Sequence, residues 1–168
     1  MKPKASDMGE RMAKARLLSP QLSGVAAEYF VAAELSKRGW IASLTLRNAK
    51  GIDILASHPQ TLRQVSIQVK ARQVRTRPDP MMRWVLSRAA EETRDARFFY
   101  VFVALRGEKE RPDFVVVPSE VVAEHTHSRH RRWMASTRRD GAPHKDSDMR
   151  SFSDVTGEYF EAWDLLEV

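Results

Sequence analysis

The stretch Gln64 to Arg72 constrains this chain more than any other, because it alternates without a break. Val65, Ile67 and Val69 are apolar, and Ser66, Gln68 and Lys70 between them are polar. Successive side chains of a strand leave opposite faces, so the pattern reads as a strand with one face in a core and one face wet. A second run, Ile52 to Ser57, puts Ile52, Ile54 and Ala56 on one face. Bringing the two apolar faces together pairs Ile54 with Ile67, Ala56 with Val65 and Ile52 with Val69, and leaves Pro59 to Leu62 as the hairpin loop. Asp53 then stands opposite Gln68, at a Cβ separation of about 4.5 to 5.5 Å, with Lys70 next along the same face. A slip of one residue would turn the polar set into the core, so core and cluster stand together.

Upstream, Ser19-Pro20 supplies an N-cap and a first-turn proline. Leu22, Val25, Ala26, Tyr29, Phe30 and Ala33 follow at helical spacing and Gly39 closes the run, which predicts a helix over 20–38. Glu28 lies in a stripe with Gly24, Val31, Ala32 and Leu35, a small and apolar surface on which a carboxylate calls for a cation. Glu34 has Lys37 and Arg38 three and four residues on and reads as an ordinary solvated face. Trp40 to Leu46 is the first strand of an antiparallel meander with the other two.

After a polar, proline-rich stretch around Arg75 to Pro80, a helix is expected near Ser87 to Arg97. Phe98 to Leu105 and Phe114 to Val117 read as buried strands. Ser119 is expected to cap a helix near 120–135, which runs into a loop from Ser136 to Ser151. A terminal amphipathic piece carries Tyr159, Phe160, Trp163 and Leu166. The expected organisation is a flexible basic arm over residues 1–18 and one domain over 19–168, and 42% hydrophobic residues suffice for a single packed core.

Lys and Arg total 28 against 22 Asp and Glu, a formal charge of +6 that favours a polyanionic partner. The longest apolar run, Phe98 to Leu105, is far short of the roughly 20 residues that cross a bilayer, so no membrane is expected. The basic start of the chain lacks the apolar stretch of a secretory signal, and the expected compartment is the cytoplasm. With no cysteine, disulfides, thiolate metal sites and cysteine nucleophiles are excluded, and any metal must sit on oxygen or imidazole. Two carboxylates, an amide oxygen and an ammonium, from Glu28, Asp53, Gln68 and Lys70, form a hard site suited to Mg²⁺ or Mn²⁺. Taken singly, Asp53 reads more readily as a solvent-facing strand residue, Gln68 and Lys70 as the wet side of a hairpin, and Glu28 as half of an ion pair with an arginine, since isolated polar residues rarely carry chemistry. Their joint arrangement carries the metal reading.

The order Gly24-x-x-x-Glu28 on a first helix, Gly51-Ile52-Asp53 on a second strand and Gln68-Val69-Lys70 on a third resembles the PD-(D/E)xK nuclease superfamily. Within it the spacing looks most like archaeal Holliday-junction resolvases and related small restriction-like nucleases, over about residues 20–105. The resemblance implies an α/β, restriction-endonuclease-like fold, a central mixed sheet flanked by helices with an α-β-β-β-α-β core. It implies Asp53 and Gln68 as ligands for Mg²⁺ beside the scissile phosphate, and Glu28 as an auxiliary ligand or the orienter of a metal-bound water. Lys70 would position the attacking water or stabilise charge on the phosphate. A homodimer is a further implication by analogy. This chain has Gln68 where a carboxylate is usual and Ile52 where a proline often precedes the aspartate.

Two basic segments complete the picture. Arg129, Arg131, Arg132, Arg138 and Arg139 lie in a stretch from His125 to Arg139 without an acidic residue and with Trp133 among them. Arg72, Arg75, Arg77 and Arg83, with Trp84 alongside, leave directly from the metal strand as a substrate rim. The alternative is a solvated basic surface with the tryptophans in the core. His125, His127 and His130 are poorly spaced for zinc on a helix, and no glycine-rich phosphate loop is present. The expectation is thus a metal-dependent endonuclease acting on DNA rather than RNA. Its rivals are a nuclease-fold module that binds nucleic acid without cleaving it, and a protein-interaction module built on the aromatic piece Tyr159 to Leu166.

Overall fold

In the computed structural model, residues 18–46, 51–74 and 82–168 are described. The basic arm expected over 1–18 therefore lies outside the described residues except for Leu18, and so do Arg75 and Arg77. Helix α1 (Pro20–Lys37) starts where Ser19 caps it, its side chain accepting from the Leu22 N–H at 3.2 Å. It ends at Gly39, whose φ of +84° lets the Gly39 and Trp40 N–H groups reach back to the Ser36 and Leu35 carbonyls, each at 3.1 Å. That pair of bonds satisfies carbonyls the helix end would otherwise leave open.

The chain then forms β1 (Ile41–Leu44), β2 (Ile54–Ser57), β3 (Gln64–Gln73), β4 (Trp84–Ser87), β5 (Phe98–Leu105) and β6 (Asp113–Pro118). Helix α2 (Ser119–Ala135) and β7 (Met149–Phe152) follow. Five strands make one sheet in the order β1-β2-β3-β5-β6, antiparallel except for the parallel pair β3 and β5. Strands β4 and β7 pair antiparallel as a separate two-stranded sheet. The architecture is the expected α/β one, a mixed sheet flanked by helices.

Two cores lie on the two faces of the large sheet. One gathers Ala27, Val31 and Leu35 of α1 against Ile54, Ile67, Val69, Val101 and Val116, with Trp163 and Leu166 of the chain's end. The other gathers Tyr100, Phe102, Val117 and Val122 with Trp84, Leu86 and Phe152 of the small sheet. Leu35, Ile67, Val101 and Phe114 are fully buried.

Several expectations need correction. No α-helix occupies Ser87 to Arg97; a 3₁₀ turn over Arg88–Glu91 follows β4, and the parallel crossover from β3 to β5 passes through the small sheet instead. Ser119 does not cap α2: its hydroxyl accepts from the Asp95 N–H and donates to the Asp95 carbonyl, both at 2.9 Å, tying the start of α2 to the entry of β5. The loop expected over Ser136 to Ser151 contains most of β7. Trp84 is a core residue, 5% exposed, so it is no platform for a base. The aromatic end packs within its own chain, with Trp163 and Leu166 in the core and Val116 donating to the Tyr159 carbonyl at 2.9 Å.

Glu34 is the largest departure from the sequence reading. It is 6% exposed rather than solvated, because Arg111, 77 residues away, joins Lys37 and Arg38 on its carboxylate. The Arg111 guanidinium in the first place, with Arg38 and Lys37, holds the Glu34 carboxyl down at about 2 against the opposing effect of burial. Arg111 also forks onto Glu161, at 2.8 and 3.0 Å. The network fastens α1 to the β5–β6 turn and to the chain's end.

Candidate active site and basic cleft

The β2–β3 ladder has the expected register, Ile54 facing Ile67 and Ala56 facing Val65, and the His58 N–H reaches the Arg63 carbonyl at 2.9 Å, which leaves 59–62 as the loop. The ladder changes at Asp53. Its N–H donates to the Ile67 carbonyl at 2.9 Å although Ile54 is already Ile67's partner, so two residues of one strand oppose one of the other. That is the arrangement of a β-bulge, which bends a strand and re-aims a side chain. The Asp53 carbonyl turns to β1's side, accepting from the Thr45 N–H at 2.9 Å. Its carboxylate takes over the ladder position, Oδ2 accepting from the Val69 N–H at 2.7 Å.

Asp53 is therefore not simply opposite Gln68, as expected, but clamped to both neighbours of Gln68, by main chain to Ile67 and by side chain to Val69. The loop before it turns at Gly51, with φ of +77°, and a Cβ there would sit 3.9 Å from Gln68 Nε2. These contacts bring Asp53 and Gln68 into one half-buried corner, with Asp53 Oδ1 unengaged among the described residues.

Gln68 and Lys70 face away from Val65, Ile67 and Val69, and stand beside Tyr100 and Phe102 of β5. Lys70 is half-buried and makes no ion pair among the described residues. Glu28 belongs to α1, which covers the other face of the sheet. The helix runs antiparallel to β3: Ser23 meets Gln73 at 2.8 Å, and Trp40 meets His58 with ring centroids 5.1 Å apart. At 1.5 Å per residue Glu28 is about 7.5 Å along α1 from Ser23, level with Ala71, about 7 Å back along β3. Glu28 is thus level with Lys70 and Ala71 but on the helix side, and half-buried rather than on the core stripe. Among the described residues no group of three or more His, Asp or Glu converges as a metal site.

The basic residues separate into distinct settings. Arg72, exposed at the end of β3, donates from Nη1 to the Arg83 carbonyl at 2.7 Å. Arg129 and Arg132 of α2 meet Arg83 around a cleft of about 650 Å³ that Trp133 and Arg150 also line. Arg131, on the same helix, is exposed and does not line it. Arg138 pairs with Asp140 at 3.3 Å, and Arg139 is exposed beside it. The three histidines do not form a metal site: His125 packs its ring on Phe152 at 4.8 Å, while His130 contacts Asp146 at 2.8 Å.

No family model matches the chain, and no curated protein matches it. Among solved structures it is similar to a bacterial homing endonuclease, I-Ssp6803I, at 17% identity and a TM-score of 0.51, over 90% of this chain and 94% of that one. It also matches a Holliday junction resolvase, Hjc, from the archaeal hyperthermophile Archaeoglobus fulgidus, at 15% identity and a TM-score of 0.42, over 78% and 84%. The fold of this chain is restriction-endonuclease-like, shared with the homing endonuclease along nearly its whole length.

Proposed function

We propose that this chain is a metal-dependent endonuclease that hydrolyses phosphodiester bonds in DNA, with its chemistry at Asp53, Gln68 and Lys70 and assistance from Glu28. The observation that carries the reading is the bulge at Asp53, which commits one carboxylate oxygen to the Val69 N–H and leaves the other without a partner among the described residues, within a nuclease fold. Bulges of this kind concentrate next to active sites because they aim a side chain out of the ladder.

The donor set fits Mg²⁺ or Mn²⁺. Asp53 Oδ1 and the Gln68 amide oxygen are hard oxygen donors, and Mg²⁺ is commonly held by one or two carboxylates with water completing its shell. When bound, such an ion lowers the pKa of its water and offsets charge growing on the phosphate. Asp53 would hold the ion and Gln68 would complete the protein's side of the shell. The Lys70 ammonium, without an ion-pair partner among the described residues, is available to stabilise the developing oxyanion. Glu28, from the helix side, would orient water rather than ligate directly. Arg72 would form the near rim for the polyanion, with Arg129, Arg131, Arg132, Arg138 and Arg139 beyond it.

The second reading is a module of the same fold that binds nucleic acid without cleaving it. The neutral Gln68 favours it, as does the absence, among the described residues, of a cluster of three ligating side chains. A cleavage screen over linear, supercoiled, branched and single-stranded substrates with Mg²⁺ or Mn²⁺ decides between the two. The endonuclease reading expects metal-dependent nicking that Asp53→Asn abolishes. Tight, salt-sensitive binding with no cleavage of any substrate selects the binding module.

A further inference from the structure

The cleft between α2 and β7 gathers positive charge that the fold itself does not use. Arg83, Arg129 and Arg132 line it together with His130, Trp133 and Arg150, and no Asp or Glu is among its lining residues. Arg150 is accounted for: it is 5% exposed, ion-paired with Glu91, and donates to the Ser147 and Met149 carbonyls at 2.6 and 3.0 Å. It holds the β7 wall in place. The nearby acid, Asp146, is taken up by Arg88 at 2.7 Å and His130 at 2.8 Å. Arg83 and Arg129 have no ion-pair partner among the described residues, and Arg132 reaches only the Ser128 carbonyl, at 3.4 Å.

We infer that this cleft holds a backbone phosphate of the bound nucleic acid, a few nucleotides from the phosphate at Asp53, with Arg83, Arg129 and Arg132 as its clamp. The inference deepens the function proposed above and rests on it for the nature of the polyanion. Burial first, and then the nearby Arg83 and Arg132, work against the positive charge of Arg129. Three like charges gathered without a counter-ion oppose folding, and an anion among them relieves the opposition. Guanidinium groups also grip phosphate oxygens with paired N–H donors.

Position supports the same conclusion. Arg72 lies two residues beyond Lys70, about 7 Å along β3, and its Nη1 holds the Arg83 carbonyl at 2.7 Å. The cleft thus continues directly from the candidate catalytic strand. At a rise of about 3.4 Å per nucleotide along one strand, a backbone crossing Lys70 reaches it within a few phosphates. Trp133, packed on the His144 ring with centroids 4.1 Å apart and 41% accessible, borders the cleft and leaves part of its ring open to an adjoining sugar or base.

The test measures binding of the full chain to a short DNA duplex with hydroxyl ends, in EDTA, as a function of salt. R83Q, R129Q and R132Q should each weaken binding, and the three together should lower the log–log salt slope by about one, for the one phosphate lost, while R129K and the distant K109Q keep the wild-type affinity and slope. R129Q should unfold at the same temperature as wild type or higher, since it removes a repelled charge. Wild-type affinity in R129Q and R132Q, or an unchanged slope in the triple variant, would overturn the inference. So would an effect seen only on duplexes with 5′-phosphate ends, which would mark a terminal-phosphate site. A loss of binding in R129K as large as in R129Q, with a lowered melting temperature, would make Arg129 structural and overturn it as well. The readout contains no metal and no turnover. A lowered slope in the triple variant with no cleavage in the separate Mg²⁺ or Mn²⁺ screen would sink the endonuclease reading alone, and cleavage in that screen with an unchanged slope would sink the clamp alone.

Discussion

Replacing Asp53 separates what its carboxylate does for the fold from what it is proposed to do for chemistry, because the two uses fall on different oxygens. Oδ2 accepts from the Val69 N–H at 2.7 Å, and Val69 is buried. In Asp53→Ala that donor has no acceptor, and an unsatisfied buried group costs about 1 to 3 kcal/mol. In Asp53→Asn the amide oxygen still accepts, and only the charge assistance is lost, about 1 kcal/mol. A domain with about 5 to 15 kcal/mol of stability stays folded in either case. Cleavage should behave differently. Removing the formal charge that binds the cation should slow it by at least about a hundredfold, or some 2.7 kcal/mol of barrier, in both variants. Urea unfolding gives the first quantity, and nicking of supercoiled DNA with Mg²⁺ or Mn²⁺ the second. The expected result is Asn more stable than Ala and both equally dead. Wild-type nicking by folded Asp53→Asn would refute the catalytic role, and equal stability loss in the two variants would refute the division between the oxygens.

Lys70→Ala should lower single-turnover cleavage at saturating DNA by at least about a hundredfold with little change in unfolding, and a wild-type rate would remove it from the chemistry. Gln68→Glu should lower the Mg²⁺ concentration for half-maximal cleavage and Gln68→Ala should raise it; if neither moves the midpoint, Gln68 is only a strand residue. Glu34→Gln should destabilise the chain at neutral pH by up to about 3 kcal/mol, the value of a carboxyl lowered from 4.5 to about 2. A lowered folded-state pKa contributes stability that is present above 4.5 and lost as pH falls toward 2, so the gap from wild type should close over that window in urea titrations. A gap that stays constant to pH 2.5 would mean that packing, not charge, is what Glu34 supplies.

How far the sequence could be read depended on how local each cause was. The β2–β3 register followed from alternation alone, since a slip would have turned Gln68 and Lys70 into the core. The bulge at Asp53 left no periodic trace, because it rests on one side-chain oxygen replacing a carbonyl in the ladder. Glu34 was misread for the opposite reason. Lys37 and Arg38 accounted for it locally, while the partner that buries it, Arg111, arrives from the β5–β6 turn. The missing crossover helix shows propensity yielding to topology. Ala89, Ala90 and Glu91 favour helix, but β4 pairs with β7 immediately before them and Phe98 must enter the sheet soon after, so a single 3₁₀ turn is all that fits. Helical spacing likewise located Glu28 on a face without saying that α1 covers the side of the sheet away from Gln68 and Lys70.

The neutral Gln68 changes the order in which the proposed site would fill. Asp53 brings one negative charge and Lys70 one positive, with Glu28 on the helix side of the sheet, whereas a carboxylate at position 68 would add a second negative charge beside Asp53. A unit charge about 4 Å away is worth roughly 4 kcal/mol at an effective dielectric constant near 20, before desolvation is subtracted, so the cation is held less firmly by protein alone. The same change would lessen repulsion of an incoming phosphate, and the arginines proposed as the clamp would attract the polyanion whether or not metal is present. Nucleic acid would then bind first and contribute a phosphate oxygen to the cation's shell. Because such coupling is reciprocal, DNA should tighten metal binding by the factor by which metal tightens DNA binding. Gln68→Glu should weaken that mutual dependence, since it gives the protein the charge the phosphate otherwise supplies.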